Sequence, residues 1–255
     1  MNRIGITLFN LCCISTAYGQ NIETPSRWIQ KKNSFYGGIE GIIFANHDTR
    51  IGTSSPFLAA GDKNLEPMPA LLAGYMVTPR LAVEVSYGSI PVSTGFFYQN
   101  FQASDYFGSS YTNGYIYIPL RGVFQVLGTG HRVGLSVLAG GGLAFTNLSS
   151  GLPITPNGTT SYTVTQPDGS SRTVSYTQLI TQEKTSFAVF EAGVRGHYFI
   201  TPRLALNLTV RQLWSPTSSV RDIYLDINTP SDHLTTTMTT PLRGIATGLG
   251  LYYSF

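Results

Sequence analysis

Histidine beside serine or aspartate is the first combination in this sequence that could do chemistry. Two stretches contain it, His47-Asp48 and Ser231-Asp232-His233. A catalytic pair must converge from different segments, and residues that are adjacent in sequence rarely meet in that way. The four histidines also lack the spacing of metal ligands. We therefore expect no enzyme, no metal site and no cofactor.

Six charged residues inside strand-like segments form the second candidate set. Three are acids and three are bases: Glu40, Glu84, Arg121, Glu191, Arg195 and Arg211. An unpaired charge is unfavourable in a confined interior, whereas mixed charges can form a hydrogen-bonded ion lattice. Such a lattice either fills and stiffens a barrel or acts as a gate or selectivity ring in a narrow pore. Both interpretations require the six side chains to point into one lumen.

The elements that position these charges are eight segments in which side-chain character alternates with period two, as in β-strands. They cover residues 34–46, 68–78, 81–90, 115–127, 133–147, 185–200, 204–214 and 241–255. Each is close to the roughly 9–11 residues with which a tilted strand crosses a bilayer. The sequence therefore predicts eight membrane-crossing strands.

The connections between these segments alternate in length. The tight ones are 79–80, 128–132 and 201–203, and the long ones are 47–67, 91–114, 148–184 and 215–240. Strict alternation places all tight turns at one end, as in a barrel with short periplasmic turns and long external loops. An even strand number lets the last strand pair with the first. This closure removes free strand edges, whose unpaired backbone groups would be unfavourable in lipid. We predict an all-β, eight-stranded antiparallel transmembrane up-and-down β-barrel over residues 34–255.

The two faces of each segment differ in size and polarity. In 81–88 one face carries Leu81, Val83, Val85 and Tyr87, and the other carries Ala82, Glu84, Ser86 and Gly88. A secreted lipocalin-like barrel would bury the apolar face, whereas an outer-membrane barrel would expose it to lipid. Small side chains suit the narrow interior of eight strands, and a water-facing outer surface would carry more Lys and Glu. The pattern favours the membrane barrel, with the six charges in its lumen.

The first residues indicate export. Arg3, the apolar run 4–15 and the small residues Ala17 and Gly19 predict a cleaved signal peptide over 1–19, followed by a flexible periplasmic lead-in over 20–33. Cleavage would remove both cysteines, so disulfides, Cys-ligated zinc and Cys nucleophiles are excluded from the mature chain. The formal net charge is only +3, which predicts no nucleic-acid partner.

The last segment, "GLGLYYSF" (248–255), resembles the C-terminal assembly signal of bacterial outer-membrane proteins through Gly250, Tyr253 and Phe255. Gly248 stands where that signal usually has a polar residue. The "TPRLA" turns at 78–82 and 201–205 resemble those of small barrels of the OmpA/OmpX/OmpW type. The resemblance implies a place in the bacterial outer membrane, contact with its lipids and recognition by the barrel-assembly machinery. Lipid A acyl-modifying barrels, which use His with Ser or Asp near the outer rim, share this fold, so the resemblance leaves a lipid-modifying hydrolase or acyltransferase as an alternative.

Aromatic residues recur near the strand ends and are predicted to form the interfacial girdles of a membrane barrel. They are Tyr36, Tyr75, Tyr87, Tyr198 and Trp214, together with Tyr253 and Phe255.

The long connections are where we expect function. Residues 160–177 predict a hairpin around Pro167-Asp168-Gly169, and 91–114 is dense in aromatics and amides that suit contact with an extracellular protein or glycan. The expected role is surface interaction, adhesion or envelope structure carried by these loops. A narrow channel for small solutes, as in OmpW-like barrels, is the main alternative.

Overall fold

The computed structural model describes residues 32–46, 49–52, 55–61, 67–100, 105–128, 131–146, 158–165, 169–230 and 232–255. The predicted signal peptide, nearly all of the lead-in, and His47, Asp48, Pro167, Asp168 and Ser231 lie outside these ranges. None of the described residues forms a helix long and apolar enough to cross a bilayer.

Fourteen strands account for most of the described chain. They are β1 Phe35–Asn46, β2 Arg50–Ile51, β3 Leu58–Ala60, β4 Pro67–Met76, β5 Leu81–Asn100, β6 Asp105–Leu127, β7 Val133–Thr146, β8 Gly158–Thr165, β9 Ser171–Glu183, β10 Ser186–Phe199, β11 Leu204–Trp214, β12 Arg221–Thr229, β13 Asp232–Thr240 and β14 Arg243–Ser254.

Eight of these strands close into an antiparallel barrel in the order β1-β4-β5-β6-β7-β10-β11-β14. The last strand pairs with the first from Tyr36 opposite Ser254 to Asn46 opposite Gly244, so the ring has no free edge along this seam. Each of the eight strands overlaps one of the eight predicted segments, with β5 and β6 extending further, and the predicted fold is confirmed. Short turns at 77–80 and 200–203 define what we call the turn end.

The other end carries a folded domain, which we call the head. It consists of β2, β3, β8, β9, β12, β13 and the outer parts of β5 and β6. These last two strands contain 20 and 23 residues, about twice what a bilayer crossing requires. Beyond the point where Tyr115 pairs with Thr146, β6 leaves β7 and continues with β5 as a hairpin. A separate five-stranded sheet, β2-β13-β12-β9-β8, faces this hairpin.

The head differs from the sequence prediction in part. Residues 91–114 were predicted as a loop, but most of them are strand, because alternating Val92, Thr94, Phe96 and Tyr98 are buried, and Phe96 and Tyr98 belong to the apolar core of the head. Residues 215–240 were likewise predicted as a loop, and they contain β12 and β13. The predicted hairpin over 160–177 is present, since β8 and β9 pair from Gly158 opposite Gln178 to Thr165 opposite Ser171.

Three apolar clusters and one charged layer fill the interior from the turn end to the head. The lowest cluster includes Tyr36 and Met76, and the middle cluster includes Phe44 and Ile90 at the head end of the lumen. Glu40 lies between Tyr36 and Phe44 on β1, which places the charged layer between these two clusters. The third cluster is the core of the head.

Candidate functional site

All six predicted lumen charges point inward and lie in one connected chain of ion pairs, which we call the ion chain. Each of the six residues is at most 4% exposed. Acid and base alternate along the chain in the order Glu40, Arg211, Glu191, Arg121, Glu84, Arg195. Buried charges require such pairing, because an isolated one would be strongly unfavourable.

The distances along the ion chain show that its contacts are closest at the end formed by Glu84 and Arg195. Arg195 contacts both oxygens of Glu84, with Nη2 2.8 Å from Oε2, and the hydroxyl of Tyr36 donates to Oε1 of Glu84 at 2.6 Å. The middle is held by Arg121, whose Nε lies 2.7 Å from Glu191 Oε1 and whose Nη1 lies 3.7 Å from Glu84 Oε2. Two-point guanidinium–carboxylate contact is the stronger and more specific arrangement, so Glu84 is the best-held acid of the chain.

The strand register brings these charges together. Glu84 and Arg121 are directly opposed on β5 and β6, and Gly140 on β7 lies between Arg121 and Glu191. A Cβ at Gly140 would overlap the backbone of Leu120 and Arg121. Glycine at this position therefore allows close approach of the strands around the Arg121–Glu191 pair.

Tyr36 corrects one sequence prediction. It was expected in the interfacial girdle, but it is 5% exposed, lies inside the barrel and stacks on Tyr252 at a ring distance of 6.1 Å. The reason is strand parity: Tyr36 lies four residues before Glu40, so both side chains share the inner face.

The other aromatics of the predicted girdles have outward positions. Tyr87, Tyr198, Trp214, Tyr253 and Phe255 are 52%, 40%, 38%, 42% and 78% exposed. Tyr75 lies against Phe35 with ring centres 4.8 Å apart. Gly250, from the resemblance to the assembly signal, sits on β14 opposite Glu40 on one side and Asn207 on the other.

The remaining outer surface of the barrel wall is apolar. Exposed residues on it include Ile39, Leu71, Leu120, Val133, Leu143 and Leu249. Exposing so large a continuous apolar surface to water would be unfavourable for a monomer, whereas the hydrocarbon of a bilayer is equally apolar and can contact it. The barrel is therefore built to span a membrane.

Two small cavities lie next to the ion chain in the lumen of the described chain. One of about 30 Å³ lies on the turn-end side and touches Tyr36, Arg195 and His197, and one of about 20 Å³ lies on the head side beside Tyr117 and Glu191. Each has room for roughly one water. Above the second cavity, Val92, Tyr115, Val189 and Leu242 are completely buried and close the described lumen.

A buried arginine that sequence reasoning did not single out joins the two sheets of the head. Arg221, on β12, is 0% exposed; its Nη1 donates to the Val92 and Tyr111 carbonyls at 3.1 and 3.2 Å, and its guanidinium lies 4.3 Å from the Tyr111 ring centre. Its charge is balanced by Glu183 on β9, at 2.7 Å. The sequence signal was the alternation of Arg221, Ile223, Leu225 and Ile227 on one face of β12.

Four donors converge on one oxygen of Glu183. Oε1 accepts from Asn113 Nδ2 at 3.0 Å, from the Tyr115 hydroxyl at 3.1 Å and from two nitrogens of Arg221. Burial alone would raise the pKa of Glu183, but the hydrogen bond from Asn113 and the charge of Arg221 outweigh it and hold that pKa below its ordinary value. Glu183 is therefore ionised at neutral pH and fastens β9 to β6.

The outward side of the head hairpin carries a trough, which we call the aromatic trough. Its volume is about 530 Å³, and its walls include the rings of Phe97 and Tyr106, whose centres are 4.5 Å apart. Gly61 and Gly108 also line it. Tyr106 is 69% exposed, so an aromatic face is open to solvent at the tip of the molecule.

The histidine candidates do not form a buried catalytic group in the described chain. His233 Nε2 lies 2.9 Å from Asp226 Oδ1, and both side chains are exposed on the outer face of the five-stranded sheet. His197 faces the lumen near Gln125, at 3.4 Å. Among the described residues, no three His, Asp or Glu side chains come together as a metal site would require.

Solved structures with a similar fold are outer-membrane barrels. OprG from Pseudomonas aeruginosa is 12% identical, with 88% of this chain and 97% of that chain covered and a TM-score of 0.51. The N-terminal β-barrel domain of OprF from the same organism is 13% identical over 89% and 100%, with a TM-score of 0.42, and Neisserial surface protein A is 13% identical over 87% and 97%, with 0.44. No protein-family model and no curated protein matches the sequence. The likeness to OprG shows that the fold is that of a small outer-membrane β-barrel.

Proposed function

We propose that this eight-stranded barrel anchors the head in the bacterial outer membrane, and that the head acts in surface interaction or adhesion. Export by the signal at 1–19, insertion through the barrel-assembly machinery and contact with outer-membrane lipids belong to the same proposal. In this orientation the turn end faces the periplasm and the head faces the exterior.

The observation that carries this proposal is that the head is folded and lies above a lumen that is filled by side chains. The long connections form two facing sheets with their own apolar core, which includes Phe96, Tyr176 and Leu225. Mobile loops would suffice for a barrel that only passes solutes. An ordered sandwich fixes the outward side chains in place, which reduces the conformational entropy lost when a partner binds.

The aromatic trough is the contact site that we propose. Its volume of about 530 Å³ lies within the roughly 300–1,000 Å³ of small-ligand sites. The ring of Tyr106 combines an apolar face with a hydroxyl, which suits a ligand that has both apolar and polar groups. A sugar ring has both an apolar face and hydroxyl groups, so we propose a glycan as the ligand.

The narrow-channel alternative receives less support from the same geometry. A conducting lumen requires a continuous water path along the charges. In the described chain the ion chain is paired throughout, and the cluster around Tyr115 and Leu242 lies between it and the head. We therefore propose that the ion chain fills and stiffens the barrel.

We also propose that the chain is not an enzyme. The exposed His233–Asp226 pair lies on a flat sheet face, where water would not be excluded from a reaction.

Binding of labelled cells to a glycan array tests the proposed role. Cells displaying the native protein should bind a defined subset of glycans, and the double variant Phe97→Ser/Tyr106→Ser should lose that binding about tenfold or more, as aromatic contact residues commonly do. Leu179→Ser is the matched control, since Leu179 is 42% exposed on the other sheet of the head. Glycan binding that is unchanged in the double variant, or equally reduced in the control, would contradict the proposal.

A further inference from the structure

A second cleft lies on the outside of the barrel at its head end, and we call it the rim cleft. Its volume is about 600 Å³, and its lining includes Arg50, Gln212, Trp214, Thr217, Pro241 and Arg243. Trp214 and Arg243 are directly opposed on β11 and β14, and Arg50 is held beside them because β2 pairs with β13 at Thr239. Barrel wall and head therefore both contribute to the cleft.

The charge of the rim cleft points to an anion. Arg50 and Arg243 both line it, so two of its described lining residues are cationic. Guanidinium presents planar, paired donors that match the oxygens of a phosphate group. The Ser215–Thr217 turn and the Gln212 amide add polar groups to the same wall.

The surroundings of the rim cleft point to a lipid rather than a free ion. Directly below it the barrel wall is apolar, with Val210 and Ile245 42% and 44% exposed, and Ile245 is the cross-strand partner of Gln212. Trp214 packs against Phe190 with ring centres 6.1 Å apart. Tryptophan concentrates at the level of lipid headgroups, so this position along the barrel is where a headgroup phosphate would lie.

We propose that the rim cleft binds the phosphate group of a membrane lipid, with Arg50 and Arg243 on the phosphate and the acyl chains along Val210 and Ile245. This site is separate from the aromatic trough and does not depend on the role proposed for it. Its effect is to hold the head at a fixed height and orientation over the lipid surface.

Fluorescence of Trp214 in detergent micelles provides the test. Trp28 and Trp214 are the only tryptophans, so Trp28→Phe leaves Trp214 as the single reporter. Short-chain phosphatidic acid should change its emission saturably, and Arg50→Gln/Arg243→Gln should weaken this binding roughly 30-fold through the loss of two arginine–phosphate contacts. Arg80→Gln/Arg203→Gln, with the same charge change at the turn end, should bind as the native protein does.

Competition with inorganic phosphate distinguishes binding of a lipid phosphate from binding of a free phosphate ion. Inorganic phosphate should not compete at the concentrations at which phosphatidic acid saturates, and equal competition would overturn the lipid assignment in favour of a free anion. Unaltered binding by the rim double variant, or an equal loss in the turn-end control, would overturn the site. If the double variant fails to show a heat-dependent shift on gels, the single variant Arg50→Gln is used, and an intermediate loss is expected from it.

Discussion

Nη2 of Arg221 lies 2.7 Å from Oε1 of Glu183, its cross-strand partner in the five-stranded sheet, and both side chains reach across to the β5–β6 hairpin. Arg221 is completely buried and also reaches the Val92 carbonyl and the Thr94 hydroxyl on β5. The Arg221 side chain therefore contacts both the β5–β6 hairpin and the five-stranded sheet. We therefore expect the order of the head to depend on Arg221.

Arg221→Met should loosen the head without unfolding the barrel. Methionine fills similar space, but Glu183 loses its counter-ion, although it keeps the hydrogen bonds from Asn113 and Tyr115, and two carbonyl groups lose a donor. Breaking a buried pair in this way costs about 3 kcal/mol. Hydrogen exchange should speed up in β9 and β12 and stay slow in β1 and β14.

The double variant Arg221→Met/Glu183→Gln is the matched control for that experiment. Because it removes both charges, it should recover part of the lost protection. Equal exchange in the single variant and in the native protein would show that the pair does not order the head.

The head should also respond to acid. Glu183 has a pKa below its ordinary value in the folded protein. Its stabilising effect is therefore complete above the unfolded-state pKa of about 4.3. The effect is lost as the pH falls through the lower pKa of the folded state. Proteolysis of the head measured against pH should rise in that acidic window in the native protein. Glu183→Gln should be cleaved more readily at neutral pH and show a flatter profile; an unaltered profile would assign the acid response to another group.

Glu84 is the most heavily contacted acid of the ion chain, so Glu84→Gln should be strongly destabilising. The change keeps the shape but leaves Arg195 without its counter-ion. The expected loss is about 3–5 kcal/mol in the free energy of unfolding, measured by urea titration of the refolded protein. Asp226→Asn, which removes an exposed pair with His233, should cost no more than about 1 kcal/mol. Similar losses in the two variants would mean that the ion chain contributes little to stability.

Two glycines in the barrel wall should respond differently to alanine. A Cβ at Gly140 would overlap backbone atoms of β6, whereas a Cβ at Gly196 would meet nothing within 4 Å. Gly140→Ala should therefore destabilise by about 1–3 kcal/mol through overpacking, and Gly196→Ala should be neutral or slightly stabilising. Unfolding midpoints in urea compare them directly, and a tolerated Gly140→Ala would argue against the close strand approach around Arg121 and Glu191.

The alternation of side chains was sufficient to predict the barrel and the inward direction of its six charges. It could not predict the order of pairing, because Arg121 meets Glu191 across Gly140 only once strand register and barrel diameter are set. Tyr36 was assigned to the girdle from its position near a strand end, although its parity with Glu40 already placed it inside.

The head was harder to predict for a different reason. Ile223, Leu225 and Ile227 alternate with polar residues as a strand would, but the segment is short and lies in a stretch long enough to pass for a loop. What makes it a strand is the apolar surface of Phe96 and Tyr176 opposite it. Long-range contacts of this kind are not encoded in local periodicity, and for the same reason Arg221 was not singled out from the sequence.

Single-channel recording of the refolded protein in a planar bilayer tests the central claim most directly, namely that the barrel is a closed anchor for the head. Because the ion chain is paired and the cluster around Tyr115 and Leu242 lies above it, we predict no discrete conductance steps from protein that shows the heat-dependent gel shift of a folded barrel. Repeatable steps whose size changes in Glu84→Gln or Arg121→Gln would contradict this account and make the ion chain the filter of a pore.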